Sequence, residues 1–348
     1  MDRRSFASLA ATSAMLAGGG IVPKAALAQN VRLTGAGASF PFPLYATWVQ
    51  TFSQKTPGVQ IDYQSTGSGA GVQAFINRTV DFAASDSGMT DEEIAKVEGG
   101  AVLLPMTAGE IVYAYNLPGV SGLKLPREVY PLIFLGEVER WNDPRIVEAN
   151  PGLELPDTRI TAVRRSDSSG TTFVFTKHLS EINQQFADTV GIGTNPQWPR
   201  VDNLVAAPRN DGVAATITQT PGAVGYVEWG FAKLTNTPVA ELQNKAGNFV
   251  AGGSEGGRIA LAGAEFKPDD LRVWIADPPQ EGAYPISTFT WMLFYKRQDA
   301  ERAEILRNFV EWALVDGQVM ADELGYIPLP PEVVEKVRAL VPQMGSVA

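Results

Sequence analysis

Three loops in this 348-residue chain repeat one design: small residues carrying a hydroxyl, set between a strand pattern and a helix pattern. They are Gly35-Ala36-Gly37-Ala38-Ser39, Gly67-Ser68-Gly69-Ala70-Gly71 and Ser169-Gly170-Thr171. Strands that feed helices through tight turns, several times over, restrict the fold to α/β, with a mostly parallel sheet flanked by helices. Val31 to Thr34 reads as the first strand, with Gly35 to Ser39 as a turn. A helix follows, with Pro41 and Pro43 in its first turn and Tyr45, Trp48, Val49 and Phe52 at helical spacing. Val59, Ile61 and Tyr63 alternate as a strand does, and Val72, Phe75 and Ile76 begin a second helix. Val80 to Ala84 is a third strand, ending at Ser85-Asp86.

The length suggests two domains. Ala101 to Leu104 and Ile111 to Tyr115 read as strands interrupted at Pro105 to Gly109, where the chain is expected to cross into a second domain. Strand, loop and helix recur at Ile160 to Val163, Arg164 to Gly170 and Thr171 to Leu179, and Gly222 to Glu228 is another strand. Gln243 to Gly257 is polar, glycine-rich and expected to be loop. Tyr284 to Met292 reads as a strand returning to the first domain. A long helix starts near Ala300 and is expected to end at Asp316-Gly317.

Residues 1–28 stand apart. Arg3 and Arg4 precede an apolar, small-residue stretch that closes on Ala26-Leu27-Ala28. That order is an export signal, twin-arginine-like, with cleavage expected near Ala28 and release into a periplasm. The stretch is too short and too rich in Gly and Ala for a comfortable membrane span. Cysteine is absent, which excludes disulfides, thiolate metal sites and a lipidated N-terminal cysteine. The formal charge is −10, or −12 once Arg3, Arg4, Lys24 and Asp2 leave with the signal. Such a chain is a poor partner for nucleic acid or an anionic membrane surface. It also repels anions at long range, so an anion must be held by local donors.

The three loops supply such donors. A serine before a helix caps it, and a helix N-terminus offers free N–H groups and partial positive charge. In Arg164-Arg165-Ser166-Asp167 a guanidinium can clamp an oxyanion, with Asp167 orienting Arg165. Read singly, each loop is a helix cap and Arg-x-Asp a surface ion pair; their convergence points to a site. Asp86 stands at a strand end, where open α/β sheets place ligand contacts. A carboxylate fits an anion pocket only if the anion brings a proton. Phosphate keeps one or two near neutral pH and arsenate behaves alike, whereas sulfate keeps none. Asp86 thus implies rejection of sulfate and molybdate by repulsion.

With these residues in view, the chain resembles the phosphate-binding proteins of ABC phosphate importers. The likeness rests on Thr34-Gly35-Ala36-Gly37-Ala38-Ser39-Phe40-Pro41, Gly67-Ser68-Gly69, Val80-Asp81-Phe82-Ala83-Ala84-Ser85-Asp86 and Val163-Arg164-Arg165-Ser166-Asp167-Ser168-Ser169-Gly170-Thr171. Pro221 to Glu228 and Pro328-Leu329-Pro330-Pro331 extend it across the mature chain. The resemblance implies a two-lobed periplasmic-binding-protein fold of type II, with hinge strands between lobes. Residues 29–107 plus 283–348 would form lobe 1 and residues 108–282 lobe 2. Inorganic phosphate would sit between them on Ser39, the Phe40 N–H, Ser68, Asp86, Arg165, Ser169, Gly170 and Thr171, with Asp167 behind Arg165. Ser39 stands where the family often has threonine, which keeps the donor. A monomer without cofactor or metal, delivering phosphate to a membrane permease and not itself membrane-embedded, is the implied role.

Rival readings are a receptor for arsenate or sulfate, a secreted phosphate hydrolase, and a secreted scavenger that meets no permease. Gly252-Gly253-Ser254-Glu255-Gly256 fits the G-x-S-x-G pattern of hydrolases, which needs a strand, a sharp turn, a helix and an available histidine. Ser254 is expected in a polar loop, and the one histidine, His178, near the end of a helix, is expected to be packed or exposed.

Overall fold

The structure is a computed structural model and describes residues 30–346. The export signal and its cleavage point lie outside the described residues. The strands are β1 (Val31–Gly37), β2 (Val59–Ser65), β3 (Phe82–Ser85), β4 (Ala101–Tyr115), β5 (Lys124–Leu125), β6 (Thr161–Arg165), β7 (Leu204–Ala207), β8 (Ala223–Glu228), β9 (Glu241–Gln243), β10 (Phe249–Val250) and β11 (Ser287–Tyr295). Eight of them form one sheet in the order β2-β1-β3-β11-β4-β8-β6-β7, and β10-β9-β5 form a small second sheet. Each end of the large sheet is parallel: β2-β1-β3 on one side and β8-β6-β7 on the other. The three central pairings, β3-β11, β11-β4 and β4-β8, are antiparallel.

The expected break at Pro105 is absent: β4 is one 15-residue strand, buried throughout. The register shifts between Thr290 and Trp291, so Thr107 faces Thr290, Pro105 faces Trp291 and Met106 has no opposite residue. Such a bulge admits a proline, which lacks the N–H a ladder needs. The partner does change, however. Residues up to Glu110 pair with β11, and Ile111 to Tyr115 pair with β8.

Other local expectations also shift. Gly35 to Gly37 continue β1, because each has a partner in β2 and β3. The segment Gln243 to Gly257 is not all loop: it holds the end of β9, β10 and the start of the helix Glu255–Leu261. Asp316-Gly317 does not end the long helix. Ala300–Trp312 passes through a π-turn, Ala313–Gly317, into Gln318–Glu323. Gly317 is there for closeness, since a Cβ on it would lie 2.9 Å from the Trp48 ring. Trp48 Nε1 donates to the Gly317 carbonyl at 2.9 Å.

The helices cover the sheet with their apolar stripes. Phe42–Lys55 buries Leu44, Tyr45, Trp48, Val49 and Phe52. Burial of such a large side chain stabilises by about 1.5–3 kcal/mol. This packing fixes the strand ends and helix N-termini from which the polar residues below project. No helix among the described residues is long and apolar enough to cross a membrane.

Candidate functional site

Ser39 lies two residues beyond β1, Ser68 opens the helix Ser68–Ile76, and Asp86 follows β3 directly. From the other half of the sheet, Arg165 ends β6 and Thr171 stands in the first turn of the helix Gly170–Ile182. All five are buried. The two halves meet closely: a Cβ on Gly170 would lie 2.5 Å from Ser68 Oγ and 2.7 Å from Asp86 Cβ. The Gly69 N–H also donates to the Ser168 carbonyl at 3.0 Å.

Asp86 is the centre of this contact. Thr290 Oγ1 donates to its Oδ1 at 2.8 Å, and Thr171 Oγ1 donates to its Oδ2 at 3.1 Å. Its own N–H donates to Ser68 Oγ at 3.3 Å. Burial pushes the carboxyl up to about 6, against the opposing pull of Thr290, Arg165 and Thr171. At neutral pH Asp86 is therefore charged and able to accept a proton-bearing partner.

Arg165 pairs with Asp167. Nε donates to Asp167 Oδ1 at 2.8 Å and Nη2 to Asp167 Oδ2 at 2.5 Å. Asp167 also accepts the Arg209 N–H at 2.9 Å. Burial pushes Asp167 up, but Arg165 and that N–H outweigh it and hold the carboxyl below its ordinary value. The third guanidinium nitrogen, Nη1, is buried without a hydrogen-bond partner. A buried unpaired donor on a cation is costly, and an oxyanion would satisfy it.

Two predicted residues serve the framework visibly. Ser169 caps its helix, its Oγ accepting the Thr172 N–H at 3.1 Å, while its own N–H donates to the Thr194 carbonyl at 2.8 Å. Phe40 buries its ring against Tyr326, and Tyr326 Oη donates to the Phe40 carbonyl at 2.7 Å.

This cluster, built from small-residue turns at strand ends on both halves of one sheet, can be set beside known proteins. A sequence profile of the PBP superfamily domain matches residues 23–316. A protein of Pasteurella multocida named phosphate-binding protein PstS is 39% identical over 317 residues, which cover 89% of this chain and 90% of that protein. One of the same name from Methanocaldococcus jannaschii is 35% identical, covering 88% of this chain and 84% of the relative. The chain belongs to the PstS family. Its fold matches that of PfluDING, a high-affinity periplasmic phosphate-binding protein solved with bound phosphate. The TM-score is 0.73 at 23% identity, covering 89% of this chain and 93% of that one.

Against the expectations for a PstS-family chain, two buried residues of the cluster were missed: Thr290 and Asn210. Asn210 Nδ2 reaches Ser39 Oγ at 3.0 Å and Thr171 Oγ1 at 3.1 Å. A signal existed, for Asn210 falls on the apolar stripe of the helix Arg209–Gln219 with Val213, Ala214 and Ile217. A buried amide on such a stripe needs partners. Thr290 had none, because every residue of β11 is buried and the strand pattern does not single it out.

Ser254 sits in a loop, although Glu255 and Gly256 of the same motif open a helix. It lies at the N-terminus of the helix Glu255–Leu261, a few residues after β10, with φ +79°. The surroundings of a nucleophile are nonetheless missing. Ser254 Oγ donates to the Gly325 carbonyl at 3.3 Å, and the Gly253 and Gly257 N–H groups are taken by Glu110 at 2.8 and 2.6 Å. His178 is packed elsewhere, its Nε2 2.7 Å from Tyr130 Oη and its Nδ1 2.6 Å from the Ala276 carbonyl. Burial lowers its pKa to about 4, so it is neutral at physiological pH. Among the described residues no group of three or more His, Asp or Glu is placed to hold a metal.

Proposed function

We propose that this chain is an extracytoplasmic receptor that takes inorganic phosphate between the two halves of its large sheet and delivers it to the permease of an ABC importer. The observation that carries this reading is Asp86, a fully buried carboxylate set among hydroxyl donors, with Arg165, whose Nη1 has no hydrogen-bond partner, lowering its pKa through its charge. Hydroxyls, helix N–H groups and a guanidinium suit an oxyanion. A single buried carboxylate suits one that still carries a proton. Ser39, the Phe40 N–H, Ser68, Asp86, Arg165, Ser169, Gly170 and Thr171 are the proposed binding residues, with Asp167 orienting Arg165.

The lobes in this reading are residues 29–107 with 283–348, and residues 108–282. The change of partner along β4 between Glu110 and Ile111 supports a hinge there. Closure about such a hinge makes the closed form a signal of occupancy. The receptor works as a monomer in the periplasm after loss of residues 1–28. Ser254 is not placed as a nucleophile, because its Oγ donates to the Gly325 carbonyl and the Gly253 and Gly257 N–H groups are taken by Glu110.

Calorimetry on the refolded chain at neutral pH tests this. Tight phosphate binding with no response to sulfate is expected. Equal binding of both anions would remove the role of Asp86, and binding of neither would reduce the motifs to helix caps. Co-purification with permease-containing membranes, strengthened by phosphate, separates the importer role from a free scavenger.

A further inference from the structure

Asn210 is wholly buried at the start of the helix Arg209–Gln219. Its amide has one consistent orientation. Oδ1 accepts the Glu228 N–H at 3.0 Å, which leaves Nδ2 facing two hydroxyls, Ser39 Oγ and Thr171 Oγ1. The backbone N–H of Asn210 reaches the same Ser39 Oγ at 3.1 Å. A hydroxyl has one hydrogen and two lone pairs. Two donors from Asn210 occupy both lone pairs of Ser39, so its hydrogen is all it has left to offer. Thr171 accepts from Asn210 and spends its hydrogen on Asp86 or on a ligand.

We propose that Asn210 is a specificity-determining positioning residue, which fixes the Ser39 and Thr171 hydroxyls as donors and leaves Asp86 as the one acceptor in the site. This rests on the phosphate reading above and sharpens it. A site with many fixed donors and one acceptor matches the phosphate dianion, with three bare oxygens and one protonated oxygen. It disfavours the monoanion, whose second proton would meet a donor. Ser39 comes from one half of the sheet and Asn210 from the other, so the same contact also holds the halves together.

The test is phosphate calorimetry at pH 6 and pH 8 on the parent, Asn210→Ala and Asn210→Asp. In Asn210→Ala the backbone N–H still reaches Ser39, but each hydroxyl regains one lone pair and can accept from the monoanion. The expected loss is about tenfold at pH 8, equal to one hydrogen bond, and smaller at pH 6. In Asn210→Asp the new carboxylate draws both hydroxyl hydrogens and turns lone pairs toward the ligand. A loss of about a hundredfold or more is expected at pH 8, shrinking at pH 6. The titratable groups around the contact are Asp86 after β3, Arg165 in β6, Asp167 beyond it, Glu228 and Tyr226 in β8, Tyr63 in β2, Tyr45 in the helix Phe42–Lys55, and Tyr326. Arg209 and Asp211 flank Asn210 on its own helix as an ion pair. All are common to parent and variants, so each loss is read as a ratio at one pH.

A merely structural role predicts the same factor at both pH values, and that result overturns the inference. So does Asn210→Ala binding within about twofold of the parent at pH 8. If Asn210→Asp does not fold, Asn210→Ala decides by the same criterion. A parent that does not bind phosphate overturns the receptor reading and this inference with it; a parent that binds while the variants keep a pH-independent ratio overturns the inference alone.

Discussion

Asp86, just past the end of β3, and Glu110, within β4, are buried carboxylates held in opposite ways. Asp86 is held by the hydroxyls of Thr290 and Thr171. Glu110, at the point where β4 changes partner, is held by the backbone N–H groups of Gly253 and Gly257. Burial pushes both carboxyls above their ordinary value. The difference lies in what can move. A hydroxyl turns about one bond and can be redirected to a ligand, whereas a backbone N–H is fixed by the chain. The partners of Asp86 can therefore be exchanged, as the proposed site requires, whereas Glu110 is part of a clasp that ties the loop before Glu255–Leu261 to the central strand.

The largest effect expected from this contrast is on selectivity. Asp86→Asn replaces a repelling carboxylate with an amide able to donate to a bare oxygen. The preference for phosphate over sulfate should fall by as much as about 10⁴ in competition calorimetry. Glu110→Gln should leave that preference within a few-fold. A selectivity loss shared by both variants would break the contrast.

Next comes affinity. Arg165→Ala removes the guanidinium and leaves the half-buried Asp167 with only the Arg209 N–H. Truncating one partner of a buried, hydrogen-bonded charge pair between protein and ligand costs about 2–5 kcal/mol of binding, so phosphate binding should weaken by about a thousandfold. Ser254→Ala, beside the Glu110 clasp, should bind phosphate as the parent does. Similar losses in the two variants would sink the site assignment.

Stability against pH sharpens the comparison further. Asp86 in the folded, phosphate-free protein titrates at about 6, above an unfolded aspartate. The folded state holds the proton longer, so charging this group costs stability as pH rises from about 4 to above 6. The cost reaches roughly 3 kcal/mol. Asp86→Asn should flatten that slope in denaturant melts at pH 4.5 and 7.5. An unchanged slope would mean that the carboxyl titrates normally in the fold.

The smallest effect is on the clasp itself. Glu110→Gln keeps one acceptor and turns an amide N–H toward a backbone N–H. Unfolding should become easier by about 1–3 kcal/mol, seen as a lower midpoint in urea. No loss of stability would show that the Gly253 and Gly257 contacts contribute little.

Much of the buried polar cluster was legible because its residues sit in short, ordered segments. Ser39, Ser68, Asp86 and Thr171 come together because each is tied to the end of a strand or the start of a helix. Arg165 and Asp167 are two residues apart, and their ion pair is local. Asn210 and Thr290 were not legible in the same way. One lies 39 residues from Thr171, the other 204 from Asp86, and neither sits in a small-residue turn. The errors at Pro105 and Gly317 have a common origin. Proline and glycine were read as punctuation, while a bulge opposite Trp291 and the face of Trp48 gave them other uses.

By itself the sequence determined the α/β alternation, the three hydroxyl-bearing turns and the Arg165–Asp167 pair, because these depend on residues close along the chain. Tertiary structure alone decided that β4 runs unbroken between two sets of partners. It also decided that Asp86 is wholly buried and that Asn210 saturates Ser39. Burial and hydrogen-bond direction are properties of groups brought together from distant parts of the chain, and local spacing does not encode them.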